Sequence, residues 1–325
     1  MLPSYESQDF PEASKPQVSV VVPIYNGERD LPDLIACLRQ QTYPTEKAEY
    51  LLVDNNSSDR TASLLEAAAR DIPEIAIRPL SEKKIQSSYA ARNTGIRAAK
   101  GEIIAFTDAD CRPRPEWLAS LIKPFANADV GLVAGEIAAL AGNSLLESYA
   151  DRKDVLSQKH TLAHPFCPYG QTANLAVRRE ILTEVGLFRP YLTTGGDADF
   201  CWRILRSTDW QLEFAANAVV EHRHRKTLRQ LAGQWRRYGE SNRYLHELHG
   251  VELMRSPTTY EYFYRLSRWL LKELPVTSAK AIVGKSDLVD ILRTPIDLIC
   301  LQARTGGQKE SLLPRKARDI QELKE

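Results

Sequence analysis

Cysteine is sparse in this 325-residue chain, and its five copies, Cys37, Cys111, Cys167, Cys201 and Cys300, stand singly with no C-x-x-C pair. That excludes a zinc cage of paired thiolates and argues against a secreted disulfide framework; reduced thiols in a cytoplasm fit best. Long apolar runs are missing too, and none approaches the roughly 18 residues of a membrane span. The opening "MLPSYESQDF" is polar and acidic, with neither the basic nor the apolar region of a secretion signal. Charge of one sign does not dominate. Lys plus Arg (43) exceed Asp plus Glu (42) by one, so no global field draws the chain to nucleic acid. The first apolar run ends in "PIYNGE", not in the G-x-G-x-x-G of a dinucleotide-binding turn. A soluble or peripheral protein is expected, cytoplasmic or lying on the cytoplasmic membrane face.

What is present is a regular alternation. "QVSVVVPIY", "AEYLLVD", "EIAIRPL", "EIIAFTD" and "VGLVAGEI" are short, mostly β-branched runs that read as buried strands. Between them lie helical stretches: Leu31, Leu34, Ile35 and Leu38 recur at i, i+3, i+4 and i+7, and a helix is expected from about Ser87 to Ala99. Strands alternating with helices imply right-handed crossovers, hence an α/β fold with a mostly parallel sheet and helices on both faces. Ligands of such sheets sit beyond the carboxyl ends of the strands, where Tyr25, Asp54 and Asp108 fall. From about Leu228 the pattern is helical. The expected organisation is a flexible leader over 1–16, a catalytic domain over 17–227, and a helical extension over 228–325 packed on it.

"IIAFTDADCRP" places Asp108 and Asp110 at the end of the fourth strand. In an extended segment residues i and i+2 point to the same side, so the carboxylates repel unless a cation lies near. A divalent metal bridging a diphosphate would meet that need. A turn or cap aspartate is the plainer alternative. A second acidic pair, Asp197 and Asp199, follows Gly195-Gly196 in "TTGGDADFCWR", where glycines let backbone approach a ligand.

Four segments in order, "VSVVVPIYNGERDL", "LLVDNNSSDRT", "ARNTGIRAAKGEIIAFTDAD" and "GGDADFCWR", resemble the family 2 glycosyltransferases, which have the type A nucleotide-sugar-binding fold. The resemblance spans roughly Gln17 to Asn242. It implies a metal-dependent transfer, with inversion, of a sugar from a nucleoside diphosphate donor to an acceptor hydroxyl on a glycan or lipid-linked saccharide. UDP is the favoured carrier, with guanosine and thymidine diphosphates left open. It also implies roles. Pro23, Tyr25 and Glu28 contact base and ribose, Asp54 accepts from the base, and Arg92 with Asn93 borders the base or diphosphate. Asp108 serves the nucleotide sugar and Asp110 the metal, Mn2+ or Mg2+. His222 completes the metal site, with His224 as competitor. Asp197 is the general base on the acceptor. The family usually reads Glu-Asp there, and Gly196 stands at the glutamate position, which puts the acceptor class in doubt. Asp199 is expected to cap the helix or hold the loop.

Gln171, Thr172 and Asn174 are candidate ligands of sugar hydroxyls, or else turn and strand polar groups. "QWRRY" resembles the Q-x-x-R-W of processive synthases, making Arg237 and Tyr238 candidates at the diphosphate or acceptor; without spans to thread a polymer, a single transfer is expected. "YEYFYRLSRWLLKELP" mixes aromatics, leucines and cations. Its stripe suits a lipid interface, yet such stripes are more often core, so packing is the expectation and membrane contact the alternative. The rival outside enzymology is a catalytically degenerate sugar-nucleotide fold acting as a scaffold of a polysaccharide assembly pathway.

Overall fold

A computed structural model describes residues 15–323, so nearly all of the expected leader lies outside the described residues. The chain divides into two compact units. The first takes Met1–Ala138, Leu156–His222 and Pro314–Glu325; the second takes Ala139–Val155 and Arg223–Leu313. In chain order the elements are β1 (Val18–Ile24), α1 (Leu31–Arg39), β2 (Ala48–Asp54), α2 (Thr61–Asp71), β3 (Ala76–Ser81), α3 (Ser88–Ala98), β4 (Ile103–Thr107) and β5 (Cys111–Pro113). Next come α4 (Trp117–Ile122), β6 (Val130–Ala139), α5 (Leu145–Arg152), α6 (Gln158–Leu162), β7 (Asn174–Arg178), α7 (Ile181–Val185), α8 (Gly196–Ser207) and β8 (Gln211–His222). Four helices follow: α9 (Leu228–His249), α10 (Thr259–Arg268), α11 (Leu274–Ile282) and α12 (Leu288–Glu310).

The first unit is built on an eight-stranded sheet of order β3-β2-β1-β4-β7-β6-β8-β5. Its leading strands β1 to β4 are parallel. β7 enters antiparallel between β4 and β6, and β5 pairs antiparallel with β8. This is the expected α/β architecture, with the antiparallel strands added after the parallel part is complete. β1 is buried along its whole length because each face has a cover. Val18, Val20, Val22 and Ile24 point one way, into a core with Leu31, Leu34 and Leu38 of α1 and Leu65 of α2. Val21 points the other way and meets α3 at Gly95, as the two-residue alternation of a strand requires. Since β2, β1 and β4 are adjacent and parallel, the loops leaving their carboxyl ends emerge along one edge of the sheet.

The second unit is helical, and sequence-local signals start it well. α5, α9, α10 and α12 each begin with a reciprocal capping box, Ser144 with Glu147, Thr227 with Gln230, Thr258 with Glu261 and Asp287 with Asp290. Each box satisfies backbone N–H groups that a helix start leaves open. α9 and α12 then approach backbone to backbone. A Cβ on Gly239 would lie 1.9 Å from the Arg304 carbonyl oxygen, and one on Gly307 would lie 2.0 Å from that of Arg236, so neither position accepts a side chain. A small core of Leu146, Tyr149, Leu231, Val289, Ile296 and Cys300 lies among α5, α9 and α12.

Candidate active site

The loops after β1 and β2 are stapled together. Asn26, in the left-handed region (φ 50°), accepts from the Ser58 N–H at 2.8 Å and donates its own N–H to Ser57 Oγ at 2.8 Å. Glu28 accepts from the Arg60 N–H and Nε at 3.2 and 3.3 Å, so its carboxylate is already engaged. Asp54, buried at the end of β2, accepts from the Ser57 N–H at 3.0 Å. Pro23 lies inside β1, opposite Val53, while Tyr25 leaves the strand end exposed. Tyr25 thus follows the strand residue paired with Asp54, and an exposed aromatic ring is a surface on which a flat ring can stack.

β4 ends at Thr107, and Asp108 to Cys111 form a turn closed by the Cys111 N–H on the Asp108 carbonyl at 3.1 Å. The extended geometry expected for the D-x-D pair is therefore corrected: a turn holds it. The two charges still meet different partners. Asp108 Oδ1 accepts from Arg92 Nη2 at 2.5 Å, and the Arg92 side chain is only 4% exposed. Burial pushes the Asp108 carboxyl up, Arg92 pulls it back, and Asp110 and Asp197 push it up again. Asp110 Oδ1 lies 3.3 Å from His222 Nε2. The register explains the meeting, since β8 sets His222 opposite Cys111, the next residue after Asp110. His224 falls in the second unit, where its charge acts on Glu147.

Ligand atoms of Asp110, Cys111 and His222 lie within 4.8 Å of one another. A carboxylate and an imidazole suit a divalent cation of the Mn2+ type. The Cys111 thiol is fully buried, and burial and then Asp108 and Asp110 push it well above its ordinary value; a soft sulfur is also less suited to Mn2+ or Mg2+ than a carboxylate.

Asp197 sits in the first turn of α8, where the helix dipole favours a carboxylate. Thr172 holds it with its hydroxyl at 3.0 Å and its N–H at 3.3 Å. Two positions on, Asp199 is fully buried between Arg189 Nε (2.9 Å) and Arg203 Nε (3.1 Å). It holds the loop, as one of its two expected roles, and does not cap the helix, whose N-cap is Gly195. A residue not singled out from the sequence joins the two acidic pairs. The Tyr89 hydroxyl accepts from the Gly196 N–H at 2.9 Å, its ring stacks on Phe188, and the Arg92 guanidinium lies over it, 5.6 Å from the centroid. A Cβ on Gly196 would come within 2.6 Å of that ring. With Tyr89 so placed, position 196 has no room for the glutamate side chain that the family resemblance leads one to expect.

Three candidates have partners inside the fold. Asn93 is fully buried, its Nδ2 donating to the Phe188 carbonyl (2.8 Å) and Gln321 Oε1 (3.0 Å) and its Oδ1 accepting from the Phe188 N–H (3.1 Å). Asn174 is fully buried as well, bonded to Trp117 Nε1 and to the carbonyls of Glu136 and Ala218. Gln171 spends its amide on the Leu156 carbonyl at 3.0 Å. The amides of Asn93 and Asn174 are engaged at both ends within the fold, whereas Gln171 is engaged through its nitrogen alone. Thr172 positions Asp197. Arg237 and Tyr238 lie on α9 in the second unit, with Arg237 exposed and Tyr238 accepting from Gln234 Nε2 at 2.9 Å.

Comparison with known proteins identifies the family and the fold. The sequence profile described as glycosyl transferase family 2 matches residues 19–193. Glycosyltransferase AglE of Haloferax volcanii is 34% identical over 218 residues, 64% of this chain and 67% of that protein. Pre-mycofactocin glycosyltransferase of Mycobacterium tuberculosis is 30% identical over 229 residues, 69% of this chain and 46% of its own length. Undecaprenyl-phosphate 4-deoxy-4-formamido-L-arabinose transferase of Pectobacterium carotovorum is 33% identical over 170 residues, covering 51% and 50%. The chain spans about half the length of the latter two. Among solved structures, mannosyltransferase PcManGT from Pyrobaculum calidifontis, in complex with GDP-Man and Mn2+, superposes with a TM-score of 0.65 at 19% identity over 96% of this chain and 92% of that one. S. aureus TarS with UDP gives 0.50 at 13% identity, over 90% of each chain. At such identities the likeness is one of fold.

Proposed function

Since the chain belongs to glycosyl transferase family 2 and is a glycosyltransferase, we propose that it moves one sugar, with inversion, from a nucleoside diphosphate to a hydroxyl of a glycan or lipid-linked acceptor. The observation that carries this reading is the separation of the two acidic pairs: Asp197 is held by Thr172, while Arg92, Asp110, His222 and Asp197 itself all act electrostatically on Asp108. Asp197 takes the acceptor proton, the freed oxygen attacks the anomeric carbon, and the bond from that carbon to the diphosphate oxygen breaks with its electron pair leaving on the diphosphate. Tyr25 and Asp54 receive the base, with a uridine carrier favoured. Asp110 and His222 would hold a divalent cation, which when bound supplies positive charge against the departing diphosphate. The lipid-linked acceptor draws support from the relative named as an undecaprenyl-phosphate transferase. Free thiols at all five cysteines fit a cytoplasmic location.

Turnover of a labelled UDP-sugar with Mn2+ and acceptor extract tests the assignment. Asp197→Asn should lower it by about 10²–10⁴ while the thermal shift caused by donor and Mn2+ persists. An Asp197→Asn protein as fast as wild type would overturn the base assignment, and a donor shift indifferent to Mn2+ would overturn the metal role.

A further inference from the structure

The stretch read as packed core is not covered. Tyr260 is 76%, Leu271 77% and Ile282 88% exposed, and Phe263, Tyr264 and Leu270 are exposed with them. Spacings of three, four and seven residues put Tyr260, Phe263, Tyr264, Leu270 and Leu271 on one side of a continuous helical rod. The rod runs from α10 through a π-turn over Trp269–Glu273 into α11. Pro275 lacks the N–H that an α-helix would return to residue 271, which accounts for the widened turn.

The opposite side of the rod is anchored. Trp269 Nε1 donates to the Ile291 carbonyl at 2.9 Å, and Glu273 accepts from the Thr294 hydroxyl at 2.6 Å, both on α12. The apolar side therefore faces outward by construction. Cations frame it: from 260 to 285 there are Arg265, Arg268, Lys272, Lys280 and Lys285 against Glu261 and Glu273 alone. Both glutamates are engaged, Glu261 in the α10 capping box and with Arg255, Glu273 with Arg268. Arg265, Lys272, Lys280 and Lys285 have no acidic partner among the described residues.

We propose that this face seats on an anionic phospholipid bilayer, with the aromatic and aliphatic side chains at the headgroup boundary and the lysines and arginine against the lipid phosphates. Apolar residues interleaved with cations and tyrosines form the pattern of a helix lying in a membrane plane. A second copy of the chain is the poorer occupant, because it would bring the same cations face to face. The inference goes beyond the transfer reading and does not need it.

The test is sedimentation of the full chain with vesicles of phosphatidylglycerol and phosphatidylcholine in equal parts, and with phosphatidylcholine alone. Binding is expected only to the anionic vesicles and should weaken with salt. Phe263→Asp with Leu271→Asp, and separately Lys272→Glu with Lys280→Glu, should each reduce the bound fraction by about tenfold, with helical circular dichroism unchanged. The charge-reversal pair keeps the apolar side chains and guards against a folding artefact. Equal binding to neutral vesicles, no binding to either, or a wild-type dimer in light scattering that these substitutions dissolve would overturn the proposal. Vesicle binding without sugar turnover would leave this surface standing and count against the transfer reading alone.

Discussion

The two acidic pairs share a spacing, Asp-Ala-Asp, and differ in the backbone beneath them. Asp108 and Asp110 lie in a turn at a strand end, and both remain partly exposed, each with its own cationic or imidazole partner. Asp197 and Asp199 lie in the first turn of a helix, where two residues are about 200° apart around the axis. One is therefore sent into the protein, to Arg189 and Arg203, and the other is held on the site side by Thr172. The turn leaves both carboxylates of its pair partly exposed; the helix divides its pair into a buried, salt-bridged acid and one held by Thr172, the proposed general base.

The strongest way to break the comparison is to neutralise the helix pair one residue at a time. Asp197→Asn should lose turnover as above with a melting temperature near wild type. Asp199→Asn should instead lose about 3–5 kcal/mol of stability, because two buried guanidinium groups lose their shared carboxylate. Urea unfolding of both proteins decides it, and equal destabilisation would collapse the distinction. In the turn pair, Arg92→Gln should weaken donor binding by about 1.5–3 kcal/mol, the worth of a charge-assisted hydrogen bond, measured by calorimetry at fixed Mn2+. If affinity is unchanged, the Arg92–Asp108 pair is only a strut.

Tyr89 sharpens the comparison because it touches both sides. Tyr89→Phe keeps the stacking but leaves the Gly196 N–H buried without its acceptor, a cost of about 1–3 kcal/mol. The expected readout is reduced stability together with a lower kcat, since the loop carrying Asp197 loosens. A variant equal to wild type in both would remove Tyr89 from the account. The smallest effect serves as a reference outside both pairs. Burial raises the Glu49 carboxyl, yet hydrogen bonds from Ser19, the Lys100 N–H and Arg78 hold it below its ordinary value. A carboxyl lowered in the fold stabilises it above the unfolded pKa and loses that contribution as pH falls through the folded value. Urea midpoints should drop below about pH 4.3, and Glu49→Gln should flatten that drop.

The strand-end residues were legible because β-branched runs followed by Asp or Tyr carry their own register. The parallel half of the sheet and the positions of Asp54 and Asp108 follow from such local patterns, whereas Asp197 was marked by the Gly195-Gly196 loop ahead of a helix and by the family resemblance. Asn93 and Asn174 were ambiguous in the sequence, because an amide inside a motif looks the same whether it binds a ligand or closes backbone groups in a core. Only neighbours far away in sequence, Phe188 for one and Trp117 for the other, distinguish the two. The burial of Asp199 needed Arg189 to be folded back onto α8, and the clash behind Gly196 needed Tyr89, which lies 107 residues earlier. The aromatic stripe of α10 was ambiguous for a related reason: periodicity shows that a face exists, whereas exposure depends on what the rest of the chain leaves uncovered.

Asn93 and Gln321, bonded across 228 positions, also set a timetable. The first unit includes the stretch from Pro314, so its last piece is synthesised after the whole second unit. On the ribosome, Asn93 on α3 must wait for a further 228 residues to emerge before that bond can close. A long-range contact of this kind slows the final step of folding, and the second unit has the whole of that interval in which to form first.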